Sequence, residues 1–365
     1  AGVRVSEAAG AAGDLPVIDI GTFIKGNAAE RAAIAAAFDE AFCTVGFCQV
    51  SGYEALLAEG RIATLREQAA SFFALPAEAK RQMRADGVVG YLGLGEETVS
   101  DSSAADSVAS EGSEGGVPDP VESLNLPGYQ DTAWRAAEPE AECPWLQAPW
   151  MASAPEGLRS AALAYWGGAT RLMTELMALM AAALELPVGF FNSLGFQRPG
   201  TLLKLAWYPP TAADAPTADG GFSPQHLRYG EHTDYDGFTI LQRSGDDGEG
   251  GGLEILMPSG EWAGVPSLPG TLLINIGDLF ARWTNDRWRA TKHRVSSRRP
   301  SAGVELPARL SIVYFSGPHP DTVVECLQCP KCQGDTPRYK PITAGAHVEA
   351  KMKAATAAAR AGDDS

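Results

Sequence analysis

From Leu202 onward the hydrophobic pattern of the chain takes a period of two, and this limits the second half to a β architecture. In L-L-K-L-A-W-Y the alternation sets Lys204, Ala206 and Tyr208 on one face of a strand and Leu203, Leu205 and Trp207 on the other. Tyr208-Pro209-Pro210 ends the strand, because proline has no N–H to give to a ladder. Further short strands are expected at 239–242, 252–257, 271–276, 293–296 and 309–315, separated by Gly, Pro and Asp turns. Regularly spaced short strands of this kind predict two packed antiparallel sheets. With 45% apolar residues, 365 residues are ample for a buried core.

The first half reads differently. A strand at 15–20 precedes a helix at 28–45 with Ile34, Phe38 and Phe42 on one stripe, and the chain returns as a strand at 46–50. A second helix, 54–73, stops before Pro76, and a long one at 158–186 places Leu172, Leu176, Leu179 and Met180 at core spacing. Residues 99–120 are rich in Ser, Gly and acids with almost nothing to bury, so they predict a mobile loop. Residues 211–225 form a second Pro/Gly/Asp-rich loop of the kind that covers sites. The expected organisation is a disordered tail (1–14), an α/β region (15–130), helical support (131–200), a β catalytic domain (201–345) and a C-terminal helix and tail (346–365).

Charge and composition exclude some partners. A net charge of −16 with no cluster of Lys or Arg argues against nucleic acid. No run of about 18 apolar residues is present, and the Ala/Gly-rich start lacks a compact apolar stretch. Neither a membrane span nor a secretory signal is therefore expected, and the protein reads as cytoplasmic. Six cysteines in so long a chain do not suggest a disulfide framework. Cys326, Cys329 and Cys332 repeat at C-x-x-C spacing and, with His347, could bind zinc, but half of a usual zinc pattern is missing; free thiols are the plainer reading.

The chemistry concentrates at Gly230–Asp236, G-E-H-T-D-Y-D. His232 and Asp234 stand two apart in an expected strand, so both side chains share a face. His293, in R-A-T-K-H-R-V, is available as a third ligand. Two imidazoles and a carboxylate on one face suit non-haem Fe(II), because the opposite positions stay open. Zinc accepts the same set, and the bare pair also occurs as plain structure. Arg309 and Ser311, in A-R-L-S-I-V-Y-F, share a strand face sixteen residues past His293.

With Arg309-Leu310-Ser311 added, the chain resembles the 2-oxoglutarate and Fe(II)-dependent dioxygenases, in the branch of isopenicillin N synthase and the plant flavonoid and gibberellin oxygenases. The resemblance runs through L-P-V-I-D-I at Leu15, F-F-A-L-P at Phe72, A-W-Y-P-P at Ala206, H-T-D, N-I-G-D at Asn275, W-T-N-D-R-W at Trp283, K-H-R-V and R-L-S. It implies a mainly β fold with flanking helices, built on a double-stranded β-helix or jelly roll. It implies Fe(II) on His232, Asp234 and His293, with 2-oxoglutarate and O2 as co-substrates and ascorbate as a candidate reductant. Arg309 would fork onto the distal carboxylate of 2-oxoglutarate, with hydrogen bonds from Ser311 and Tyr208. Tyr91 matches a tyrosine near the substrate mouth, and Phe315 would wall the pocket or serve as core.

The implied reaction hydroxylates, desaturates or cyclises a small-molecule metabolite and releases succinate and CO2; no nucleic acid, membrane or obligate protein partner is expected. Two alternatives stay open: an oxidase of the same fold that does not use 2-oxoglutarate, and a non-catalytic ligand-binding relative. One departure matters, since the family's N-x-Y is here Ala206-Trp207-Tyr208, without the amide. Asn275 and Asp278 are expected to set a turn, and His226, His319 and His347 match no ligand position. Acids at Asp214, Asp219, Asp246, Asp247 and Glu249 favour a neutral or cationic substrate, or are simply a solvated surface.

Overall fold

A computed structural model describes residues 3–4, 15–97, 119–128, 143–212, 227–243, 252–296, 305–332 and 336–363. Nine strands form the larger sheet in the order Val3–Arg4, Val17–Asp19, Phe47–Ser51, Leu272–Ile276, Phe238–Arg243, Arg309–Gly317, Gly200–Tyr208, Glu122–Pro127, Gly90–Leu92. All neighbours are antiparallel except Val17–Asp19 beside Phe47–Ser51, which are parallel. A four-stranded sheet, Trp262–Gly264, Leu253–Leu256, His293–Ser296 and Leu227–His232, makes the second layer.

The alternation expected at 202–208 sorts the two sides of the larger sheet. Leu203, Leu205, Leu310, Ile312 and Tyr314 join the larger core cluster, against the helices. Ala206 and Tyr208 join a smaller cluster with Leu253, Ile255 and Val295 of the second sheet. The first cluster is the floor of the helical layer; the second is the space between the sheets, where every functional residue discussed below converges except Tyr91.

The helix Ala28–Thr44 begins with a reciprocal cap, Asn27 Oδ1 accepting from the Ala29 and Glu30 N–H groups while Glu30 Oε2 accepts from Asn27 N–H. The helix expected at 54–73 begins later, as Glu59–Phe73, because the Leu56 and Leu57 N–H groups turn back onto Tyr53 O. The long helix is Glu156–Ala183, with Leu172, Leu176, Leu179 and Met180 all buried against the larger sheet's helix side.

Two expectations change. Val3–Arg4, inside the supposed disordered tail, pairs with Val17 and Ile18, whose backbone groups would otherwise lie open at the sheet edge. The division at residue 200 cuts through one sheet, since Phe47–Ser51 pairs with Leu272–Ile276 and Glu122–Pro127 with Gly200–Tyr208. The N-terminal strands thus belong to the same sheet as the strands after residue 200. Of the loop 99–120 only Asp119 and Pro120 are described, and Asp119 is buried with Oδ1 accepting from Gly230 N–H at 2.8 Å. The acids Asp214, Asp219, Asp246, Asp247 and Glu249, and His226, lie outside the described residues.

Candidate metal centre

His232 closes the strand Leu227–His232, in which Arg228, Gly230 and His232 are the buried positions. Its cross-strand partner is His293, the first residue of His293–Ser296. Asp234 does not continue the strand, as the H-x-D spacing suggested. The ladder stops at His232, and the turn that follows is tied by Asp278 N–H to Asp234 O at 2.8 Å and Gly277 N–H to Gly237 O at 2.7 Å. The carboxylate reaches the two imidazoles from this turn: His232 Nε2 and His293 Nε2 each lie 3.6 Å from Asp234 Oδ1. The three donor atoms all lie within 4.8 Å of one another, the one such group of three or more found among the described residues.

Each ligand is oriented from behind. Nδ1 of His232 faces Gly230 O at 2.8 Å and Nδ1 of His293 faces Thr291 O at 3.1 Å. A proton on each Nδ1 satisfies those carbonyls and leaves each Nε2 lone pair turned to the centre. Burial, and then the neighbouring His293, lower the basicity of His232 to about 3, so its imidazole is neutral, as a metal ligand must be. Asp234 Oδ2 is occupied by the Thr239 hydroxyl and by Asn275 Nδ2 at 2.5 Å, which reserves Oδ1 for a cation. Two imidazole nitrogens and one carboxylate oxygen gathered about one point fit Fe(II).

Asn275, expected to set a turn, lies within the strand Leu272–Ile276 and acts on the carboxylate directly. The signal for Thr239 and Asn275 lies in strand register and not in local pattern: they are cross-strand partners, and both bond the same oxygen of Asp234.

The residues expected to hold a co-substrate line the sheet face between the layers. Arg309 pairs with Tyr208, Ser311 with Ala206 and Val313 with Lys204. The guanidinium of Arg309 lies 5.6 Å from the Tyr208 ring centre, and that of Arg228 lies 5.3 Å from it. Burial raises the Tyr208 hydroxyl far above its usual range, so it remains a donor. Gly252 is required beside them: its φ is +70°, and a Cβ there would lie 2.8 Å from Ser296 O and 3.2 Å from Arg309 Nη1.

Phe315 is half-buried and pairs with Thr239, which places it at the metal end of the same strand face. Tyr91 is elsewhere. It pairs with Leu124 on the helix side, donates to Glu122 Oε2 at 2.6 Å and meets Phe72 edge-on. Its strand register turns it away from the face that carries Ala206 and Tyr208, so the structure does not bring it to the metal centre.

His347, which matches no ligand position in the sequence, faces Asp278 Oδ2 at 3.2 Å, beside Lys351 Nζ at 3.0 Å. The pair anchors the C-terminal helix Ala344–Asp363 to the residue whose N–H ties down the Asp234 turn. Engaged with Asp278, His347 is not gathered with Cys326, Cys329 and Cys332 into a metal-holding group among the described residues.

Known proteins are similar to this chain. The model of the 2OG-Fe(II) oxygenase superfamily matches residues 201–318, and that of the N-terminal region of non-haem dioxygenases in morphine synthesis matches residues 15–140. Validamycin A dioxygenase of Streptomyces hygroscopicus subsp. limoneus is 33% identical over 326 residues, 87% of this chain and 80% of its own length. Gibberellin 20 oxidase 2 of Oryza sativa is 31% identical over 334 residues, 90% of this chain and 72% of its own. Among solved structures, a full-length Neurospora crassa protein in complex with alpha-KG and thymine superposes with a TM-score of 0.72 at 24% identity, covering 97% of this chain and 99% of its own. Rice dioxygenase for auxin oxidation superposes with a TM-score of 0.66 at 25% identity, covering 95% and 99%.

Proposed function

Because the chain belongs to the 2-oxoglutarate and Fe(II)-dependent oxygenase superfamily, an enzyme family that oxidises small-molecule metabolites, we propose that His232, Asp234 and His293 hold its iron. Arg309, with Ser311 and Tyr208, holds the distal carboxylate of 2-oxoglutarate. When bound, the iron would let O2 act as the oxidant, 2-oxoglutarate giving two of the four electrons as it becomes succinate and CO2 and the metabolite giving the other two. The chain's residues do the rest. The carbonyls of Gly230 and Thr291 fix the imidazole tautomers, and Thr239 and Asn275 keep the Asp234 carboxylate aimed. Arg309 presents two parallel N–H donors in a buried setting, where a forked pair with a carboxylate is strongest. Phe315, at the metal end, walls the space the metabolite enters, and the reaction outcome is hydroxylation, desaturation or cyclisation.

The observation that carries this reading is the convergence of three donor atoms on one position, on the same side of the sheet as the Arg309 and Tyr208 pair. No helix among the described residues is long and apolar enough to cross a membrane.

The test is anaerobic addition of Fe(II) and 2-oxoglutarate, followed by a metabolite screen scored by succinate release. A metal-to-ligand absorption band with 2-oxoglutarate, lost in Arg309→Met, supports the assignment. Iron binding and O2 consumption without any 2-oxoglutarate band would favour the oxidase of the same fold.

A further inference from the structure

The N-x-Y of the family that the sequence resembles would place an amide at position 206, where this chain has Ala206, and the structure shows what surrounds that side chain. Ala206 stands between Ser311 on one neighbouring strand and Ser123 on the other. Along its own strand, on the same face, lie Lys204 toward the metal and Tyr208 toward Arg309. Lys204 is buried, its side chain 8% exposed, and its ammonium bonds Glu97 and the Tyr229 hydroxyl, the latter at 3.1 Å. Glu97, 10% exposed, also accepts from Ser123 Oγ. Tyr229 in turn packs its ring 5.1 Å from that of His232. The ammonium is thus one side chain removed from a metal ligand, and two described partners take two of its three N–H groups.

A buried ion pair is costly to assemble, and apolar side chains of similar volume would close the same space at least as stably. Its presence between the metal ligands and Arg309 calls for a ligand with charge. 2-Oxoglutarate carries a carboxylate at each end, and two cations of this face stand at the two ends of the space beside Ala206, Arg309, paired with Tyr208, at one and Lys204 at the other, while Arg243, across from Ser311, donates to the Val265 and Pro266 carbonyls. Burial alone would raise the Glu97 carboxyl, but Lys204, Ser123 and Tyr229 hold it low and ionised, so it fixes the lysine in place.

Building on the 2-oxoglutarate reading above, we propose that Lys204, positioned by Glu97 and Tyr229, donates its remaining N–H to the metal-side end of 2-oxoglutarate and replaces the amide missing at Ala206. The co-substrate is then held between two cations, Arg309 and Lys204, and the small side chain of Ala206 leaves the lysine room to reach it. Glu97 acts in the opposite sense, drawing part of the positive charge away from the dianion.

The two ends of the ion pair therefore give opposite results, which a purely structural strap does not. 2-Oxoglutarate affinity is measured by the anaerobic Fe(II) absorption band, with Mn(II) affinity and Tm as controls for folding. Lys204→Met weakens 2-oxoglutarate by about tenfold or more, as loss of a hydrogen bond to a charged group requires. Glu97→Gln keeps an acceptor that holds the ammonium but removes the carboxylate's charge, so the affinity tightens, and Lys204→Met combined with Ala206→Asn recovers binding. Ala206→Asn alone changes affinity little, because the lysine already fills the role, and this variant tests the idea even if Lys204→Met fails to fold.

Equal weakening by Lys204→Met and Glu97→Gln makes the pair a strap and overturns the proposal. So does a roughly tenfold gain from Ala206→Asn alone, which would show an unfilled gap. Absence of the band in the parent protein would be a different failure, that of the 2-oxoglutarate reading itself.

Discussion

Asn275 Nδ2 stands 2.5 Å from Asp234 Oδ2, so one oxygen of the metal carboxylate is held from the neighbouring strand while the other faces the two imidazoles. The amide and the Thr239 hydroxyl together choose which oxygen meets the cation. Groups of this kind behind a ligand are worth about 10–100-fold in metal affinity. Asn275→Leu should therefore weaken Fe(II) and Mn(II) binding by about that range with secondary structure unchanged. Metal titrations giving the parent affinity would show that Thr239 alone suffices.

Replacing His232 or Asp234 with Ala removes a ligand from a site whose walls are already formed by two packed sheets. Iron-dependent turnover should disappear while the circular dichroism spectrum is kept. A metal-stripped variant that regains full activity on adding iron would refute the ligand assignment.

Gly252 permits Arg309 to lie where it does. Gly252→Ala introduces a Cβ at φ +70°, 2.8 Å from Ser296 O and 3.2 Å from Arg309 Nη1. The strain should cost about 1 kcal/mol or more in stability, and the displaced guanidinium should weaken 2-oxoglutarate selectively. Equal loss of iron and 2-oxoglutarate affinity would mean that the whole layer moves, and not Arg309 alone.

Asp39 joins three elements. Its carboxylate accepts from Arg287 Nη2 at 2.6 Å, Lys331 Nζ at 2.8 Å and Trp288 Nε1 at 2.8 Å, linking the helix Ala28–Thr44 to the segment after Trp283 and to the cysteine-rich turn. Truncation leaves the buried Trp288 N–H without its acceptor and two partly exposed cations without their counter-charge, and Asp39→Ala should lose about 1–3 kcal/mol, read by urea unfolding. A change under about 0.5 kcal/mol, the range of an ordinary surface substitution, would contradict it.

The same carboxylate sets an acid limit. Burial would raise Asp39 and Asp278, but hydrogen bonds from Arg287, Lys331 and Trp288 to the first, and from His347 and Lys351 to the second, hold both below the usual 3.8. A carboxyl depressed in the folded state stabilises fully above its unfolded value and loses that contribution as pH falls through the folded one. The contribution of these two carboxylates to Tm should hold from neutrality down to about pH 4 and be lost steeply below it. In Asp39→Asn the neutral-pH Tm should be lower and the acid slope shallower; parallel curves would assign the acid transition to other groups.

The sequence determined which residues alternate, and through alternation the two faces of the sheet. The period-two runs at 202–208 and 309–315 put Lys204, Ala206, Tyr208, Arg309 and Ser311 on one side. The H-x-D, the later His and the R-x-S are local patterns whose chemistry depends on residue type, so the residues proposed above for the metal and the co-substrate could be picked out before any fold was known. Phe315 followed from the same alternation. What the sequence left undecided depends on register and on contacts between residues far apart in the chain. Asp234 leaves the strand because the ladder ends at the His232 and His293 pair, which only the pairing of distant segments decides. Asn275 reads locally as a turn residue because a buried amide is recognisable only beside its acceptor, 41 residues away. Tyr91 faces the helices because its partner is Leu124, and His347 acquires its anchoring role only once the last helix lies against Asp278. The pairing of Lys204 with Glu97 spans 107 residues and has no periodic signature. Alternation is a property of the backbone and is written along the chain; the partner of a buried charge is set by packing, and the tertiary structure alone decides it.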